Sequence, residues 1–281
     1  MKIVVLIEDT GIENTGMEDI FTNPSCCFEH GLSLYVETKK HKLLVDTGAT
    51  DAFIKNAEKL NIDLTGVDTV IISHGHYDHT GGIPAFHELN PKAQIYMQRS
   101  ACGDFYHGER YIGMDPAIAE LDCVHMLDGD CRIDEELFLF TKITGRKYFA
   151  KSNLLLSKKV NGQHAPDTFE HEQCLVITQG EEHTVISGCA HNGILNILSK
   201  YQEWYDKPPK TVISGFHMMK KGAYEQVEAQ IICETAAQLC TEELSDTVFY
   251  TGHCTGEQAF ALMKPYMGDR LRKIHSGMQI F

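Results

Sequence analysis

Four side chains able to bind a metal ion fall within six positions in Ser73-His74-Gly75-His76-Tyr77-Asp78-His79. Imidazole and carboxylate together suit Zn, Fe or Mn, and the spacing is too tight for one tetrahedral site to use all four. In an extended or turning backbone His74 and His76 point the same way, while Asp78 and His79 turn toward a second position. Such a set supports two ions about 3.5–4 Å apart, which activate water and polarise a substrate oxygen. A histidine-rich surface turn is the plain alternative. The apolar strand DTVIIS, running directly into the cluster, argues against it. Gly81-Gly82 then lets the backbone turn into a helix.

The elements that must position this cluster follow from period and punctuation. Strands are expected at 3–7, 32–37 and 42–46, the last two forming a hairpin that ends in Asp46-Thr47-Gly48. Thr50 is placed to cap a helix reaching about 60. A buried strand covers 68–73 and a helix 81–89. From 99 to 135 the periodicity is poor, which suggests an insertion or lid. In the second half a hairpin spans 174–178 and 183–187, and a helix follows at 192–204. Strands at 211–214, 247–251 and 271–274 alternate with helices at 224–239 and 257–263. The first of these two helices has Val227, Ile231, Ala236 and Leu239 as its apolar residues. Sheet segments followed by helices, once in each half, predict an α/β four-layer αββα sandwich formed by a single domain over 1–281. A Rossmann-like arrangement is disfavoured, because no GxGxxG follows the first strand.

His74-x-His76-x-Asp78-His79 resembles the HxHxDH signature of the metallo-β-lactamase superfamily. The resemblance implies that Asp46, in LVDTGA, supports a metal-binding histidine from behind; a turn-forming aspartate is the alternative. It also implies ligands from strand ends in the second half. Candidates are Cys189 and His191 in ISGCAHNG, His217 in ISGFHMM and His253 in YTGHCTG, each after a strand and a Gly. GCAHNG, GHCTG and Glu29-His30-Gly31-Leu32-Ser33 narrow the similarity to the dihydropteroate-synthase-like branch, the 7,8-dihydropterin-6-methyl-4-(β-D-ribofuranosyl)aminobenzene-5′-phosphate synthase group. By that resemblance metal binding is carried onto His74, His76, Asp78, His79, His191 and His253. The ions implied are one or two divalent cations, zinc first, with iron and manganese as alternatives. Two departures stand out. Gly188-Cys189 occupies the place of a bridging aspartate, so Cys189 is either a thiolate ligand or a buried inert thiol. The middle histidine expected near 174 has no clean match, leaving Asp167, His171 and Glu172 as alternatives.

Composition bounds the partners. The chain has 281 residues, 43% apolar and 23% charged, with a formal net charge of −14. That balance disfavours attraction to nucleic acid, whereas a small substrate, even an anionic or phosphorylated one, fits a metal site. No stretch approaches the ~18 apolar residues of a membrane span. The first apolar run is shorter than that of an export signal, and the ten cysteines lack framework spacing. A cytoplasmic protein with reduced thiols is expected. Cys26, Cys27, Cys233, Cys240 and Cys254 need no special role, and His87, His107, His125 and His275 read as surface or structural residues.

The expected reaction is hydrolysis of an ester, thioester or phosphoester-like molecule. Asp78 would orient the nucleophile, although a carboxylate serving as ligand is a poor free base. His217 would give a proton to the leaving group or touch the substrate. The branch implies a different reaction, a transferase joining a dihydropterin to an aminobenzene ribofuranosyl phosphate. For that reaction Arg146, Lys147, Lys220 and Lys221 are cations available to a phosphate. A non-catalytic metal-binding protein is the third reading.

Overall fold

Alternating side chains in the first strands are apolar on both faces, the pattern of strands buried on both sides. Strands β1 (Lys2–Ile7), β2 (Ser33–Glu37) and β3 (Lys42–Val45) pair antiparallel in turn. Strands β4 (Thr69–Ile71), β5 (Gln94–Gln98) and β6 (Val124–Leu127) then continue the sheet in parallel. The computed structural model describes residues 1–11 and 26–281. Among these, the six strands form one sheet in the order β1-β2-β3-β4-β5-β6. Helices α1 (Ala52–Lys59) and α3 (Ile83–Leu89) place Phe53, Ala57, Ile83 and Phe86 in one buried cluster with Leu44, Val70, Ile72 and Ile95. Each such aromatic or aliphatic burial contributes about 1.5–3 kcal/mol.

Between β4 and α3 lies α2 (Tyr77–Thr80), a single turn carrying Asp78 and His79. Helix α1 starts one residue later than expected, at Ala52 after Asp51. The Thr50 hydroxyl still accepts the Ala52 N–H at 3.1 Å. The chain's last residues return to β1, whose Val5 N–H donates to Met278 O and whose Ile3 O accepts from Ile280 N, each at 2.8 Å. This covers an otherwise unpaired edge.

The described residues fall into two compact units. The first consists of Met1–Phe105, Tyr111–Gly129 and Ile274–Phe281. The second consists of Tyr106–Arg110 and Asp130–Lys273. The second unit is built around strands β7 (Cys131–Arg132), β8 (Leu137–Phe140), β11 (Cys174–Gln179), β12 (Glu182–Ser187), β13 (Thr211–Ser214), β14 (Val248–Thr251) and β15 (Leu271–Lys273). Their order is β15-β14-β13-β12-β11-β8-β7, with β12 through β15 parallel. Helices α4 (Ile194–Tyr201), α5 (Gln226–Gln238) and α6 (Glu257–Met267) bury Ile197, Tyr201, Ile232, Ala236 and Met263 in one cluster with Val185, Val212 and Phe249. Of the four apolar residues expected on this helix, Ala236 and Leu239 are buried, Ile231 is half-buried and Val227 is 55% exposed, while Ile232 and Thr235 complete the buried face.

A separate hairpin of β9 (Leu156–Val160) and β10 (Gln163–Pro166) turns at Asn161 and Gly162, both with positive φ. Asn-Gly is the favoured dipeptide for such a turn, yet the sequence reading passed over it. Strand β6 was missed for a different reason. It lies in the 99–135 stretch, and VHML carries no clear alternation. Among the described residues no helix is long and apolar enough to cross a membrane.

Candidate metal centre

Parallel pairing of β3 and β4 positions the histidine cluster of the first unit. Asp46 ends β3 in a left-handed conformation, φ 59°, and its side chain meets the segment leaving β4. Its carboxylate accepts the Ser73 N–H at 2.7 Å, the Ser73 hydroxyl at 2.7 Å and His79 Nδ1–H at 2.7 Å. Ser73 Oγ also lies 2.8 Å from His74 Nδ1. A hydroxyl has one proton, and here it goes to Asp46, so the serine oxygen accepts from His74 Nδ1–H. The network therefore assigns both His74 and His79 the Nδ1–H tautomer and gives the Nε2 of each a lone pair able to accept a cation. Sequence placed Asp46 behind a histidine of the cluster; in the structure it holds His79 directly and reaches His74 through Ser73.

The rings at 74, 76 and 79 are drawn together. Centroids of His74 lie 4.6 Å from His76 and 4.1 Å from His79. All three are buried, as is Asp78, whose Oδ2 is 3.6 Å from His79 Nε2. This is a buried patch of imidazole and carboxylate donors in which the tautomers of His74 and His79 are fixed, and that donor set fits a divalent cation of borderline softness. His30, missed as a site residue although its motif was noted, places Nε2 3.5 Å from Asp78 Oδ2. Its Nδ1 is held by Asp9 at 2.8 Å.

Two glycines are obligatory. A Cβ on Gly75 would collide with the Ala101 carbonyl, and one on Gly81 with the Ala49 carbonyl. Gly81 therefore serves close packing beneath the cluster as well as the helix entry expected of it.

In the second unit three adjacent parallel strands end at one edge, the place where open α/β sheets present ligand sites. Strand β12 leads into Cys189 and His191, β13 into His217, and β14 into His253. Ala190, His217 and His253 have φ of 50°, 47° and 48°, a conformation that costs non-glycine residues energy and concentrates at functional sites. His191 Nδ1 lies 3.0 Å from Asn153 Oδ1, which only accepts, so His191 is also Nδ1–H. Its ring stacks on Phe169 at 4.7 Å and lies 4.2 Å from that of His217. Ser152 donates its hydroxyl proton to His217 O, so at 3.1 Å its oxygen accepts from His217 Nδ1–H. Neutral His217 thus presents an accepting Nε2, and it can give a proton only after taking one.

The three candidates for the missing middle ligand separate by what they already hold. Glu172 is a backbone anchor: it accepts His191 N–H at 2.6 Å, Asn192 N–H at 3.0 Å and Asn192 Nδ2 at 2.8 Å. Burial pushes its carboxyl above the usual carboxylate range, and these bonds offset only part of that shift. Asp167 holds His171 Nε2 at 3.1 Å, both side chains being buried. That pairing of imidazole with an orienting carboxylate makes His171 the stronger candidate. Cys189 is buried. Cys254, which was given no role, links the loops after the strands: its Sγ accepts His217 N–H at 3.3 Å and lies 3.6 Å from Cys189 O.

Among the cations considered for phosphate, Arg146 is engaged with Ile143 O, Gly145 O, Thr168 O and Asn192 Oδ1. Lys147 binds Gln238, and Lys220 binds Glu228. His125 stacks on Tyr96, and His275 is buried against Ser276 O, as expected of structural histidines.

Residues 28–146, which include Asp46 and the whole histidine cluster, match the family model of the metallo-beta-lactamase superfamily. The 7,8-dihydropterin-6-methyl-4-(beta-D-ribofuranosyl)-aminobenzene-5'-phosphate synthase of Methanocaldococcus jannaschii is 26% identical over 268 residues, 89% of this chain and 88% of that protein. MJ0448 from the same organism is 25% identical over 255 residues, covering 88% and 90%. The crystal structure of Tm1679, a metal-dependent hydrolase of the beta-lactamase superfamily, is similar with a TM-score of 0.77 and 30% identity, covering 100% of this chain and 98% of that one. With that identity across the full length, and with the mixed α/β fold and histidine cluster described above, the chain belongs to the metallo-beta-lactamase superfamily.

Proposed function

We propose that this protein is a metal-dependent hydrolase of a small ester, thioester or phosphoester-like molecule. The ligands would be His74, His76, Asp78, His79, His191 and His253, with His171 or Cys189 as an additional donor. The observation that carries this reading is the bonding of Nδ1 in His74, His79 and His191 to Ser73, Asp46 and Asn153, which turns each Nε2 into a lone-pair donor. Divalent ions held there, zinc by preference, would make water nucleophilic at neutral pH and polarise a substrate oxygen. Asp78 would orient the attacking water. His217 Nε2 would take a proton as the nucleophile forms and return it to the leaving group.

The similarity to the dihydropterin-linked synthase supports a second reading, transfer of an aminobenzene ribofuranosyl phosphate to a dihydropterin. The two differ in what they turn over. Zinc-loaded protein is expected to hydrolyse chromogenic esters or phosphodiesters, with the rate abolished by chelator and by His76→Ala. Inertness toward both classes, together with binding of a dihydropterin, would overturn the hydrolase in favour of the transferase.

A further inference from the structure

The second unit holds a cleft of about 330 Å3 that the metal-ligand reading leaves unused. Its size is at the lower end of ligand sites, roughly 300–1,000 Å3. The walls that matter are Leu154, Leu155, Met218, Ile231 and Ile232, with Ser152 toward the histidines. Polar groups around it are already matched. Lys151 Nζ lies 3.4 Å from Glu225 and Lys220 Nζ 2.7 Å from Glu228. Tyr224 donates its hydroxyl to Met218 O at 2.8 Å, and burial pushes that phenol up to about 12, so it stays neutral. With each lysine paired to a carboxylate, no net charge calls for an ionic ligand. What remains is aliphatic surface, and Leu154 and Leu155 stand 74% and 60% exposed beside it. Contiguous apolar exposure of this kind marks a site that something covers.

Continuity with the catalytic histidines says what covers it. Ser152 lines the cleft and also binds both the ring and the carbonyl of His217, and the His217 ring is 4.2 Å from His191. A molecule lying in the cleft would extend toward that pair. We propose that the cleft receives the uncharged apolar part, an alkyl chain or aromatic ring, of the substrate whose hydrolysable group meets His217 and His191. The inference rests on the hydrolase reading and narrows it to substrates with a sizeable apolar group.

The test has two arms on the full, zinc-loaded chain. One titrates N-phenyl-1-naphthylamine, a neutral fluorescent aromatic. The other measures kcat/KM for p-nitrophenyl esters from acetate to octanoate. Saturable probe binding is expected, weakened at least about tenfold by Leu155→Arg at the exposed rim and by Ile231→Trp, whose larger ring narrows the cleft. Turnover is expected to rise by about fourfold per methylene until the cleft is full, and the dependence on chain length should vanish in both variants. Unchanged metal content shows that the variants have folded. Absent probe binding, or binding and chain-length dependence that neither variant alters, overturns the proposal. Inert esters with saturable probe binding that both variants weaken would support the apolar site and count against the hydrolase reading alone.

Discussion

Replacing Asp46 by Asn changes one atom and, by the geometry, inverts the donor pattern of two histidines. The carboxylate accepts three bonds, each at 2.7 Å, from Ser73 N, Ser73 Oγ and His79 Nδ1. An asparagine that keeps its oxygen on the Ser73 amide turns its NH2 toward the other two. Two N–H donors cannot face each other at that distance, so His79 must move its proton to Nε2. Ser73 Oγ now accepts from the amide and turns its own proton toward His74 Nδ1, which moves that ring's proton to Nε2 as well. Both coordinating lone pairs are lost unless the network breaks. Loss of such an orienting partner costs 10–100-fold in metal affinity, and with two rings affected the upper figure applies, about 2.7 kcal/mol. The metal-free protein loses a charge-assisted bond and keeps its shape, a cost of about 1–2 kcal/mol, or about 2–4 °C in Tm at this length. Competition titration against a chromophoric chelator measures the first quantity, and calorimetry of the metal-free protein measures the second. Zinc affinity within twofold of wild type, with Tm lowered as stated, would refute the tautomer argument.

Other outcomes follow from the same structure. Glu172→Ala strands three buried donors on His191 and Asn192, so urea unfolding of the metal-free protein should show a loss of about 3–6 kcal/mol. Phe53→Ala empties a fully buried position between α1 and the first sheet; about 3–5 kcal/mol is expected by the same assay. Burial lowers the pKa of His183, with Lys207 adding to the shift, so the folded chain holds this ring neutral beside the Tyr201 hydroxyl, 2.6 Å away. The unfolded chain binds that proton first. This contribution is therefore present above the ordinary histidine value near 6.5 and is lost as pH falls below it toward the folded value. In His183→Gln, stability plotted against pH should be flatter across that window, and an unchanged slope would contradict the assignment.

What the sequence made legible was the part whose determinants are local. His74 through His79 follow an apolar strand within a few residues, and the strand-then-glycine settings of His191, His217 and His253 recur three times. The hairpins β2–β3 and β11–β12, and most helices, were readable from period alone. The residues that orient the ligands were less visible, because their partners lie far along the chain. Asn153 reaches His191 across 38 positions, and Glu172 reaches it across 19. Neither distance leaves a pattern. Arg146 looked available for phosphate because two of its partners, Thr168 O and Asn192 Oδ1, lie 22 and 46 positions along the chain. On α5 the apolar residues Ala236 and Leu239 are buried, but Val227 in the first turn is exposed and Ile232 packs inward. Asn161-Gly162 was a local signal and was simply missed.

A divalent ion held by these imidazoles through Nε2 would register in the metal content of the protein. Elemental analysis of the purified, zinc-loaded chain after exhaustive dialysis should give one to two ions per molecule, falling by at least one in His79→Ala and again in His191→Ala. A wild-type chain that retains no ion after dialysis, or a His79→Ala chain that retains the full complement, would contradict it.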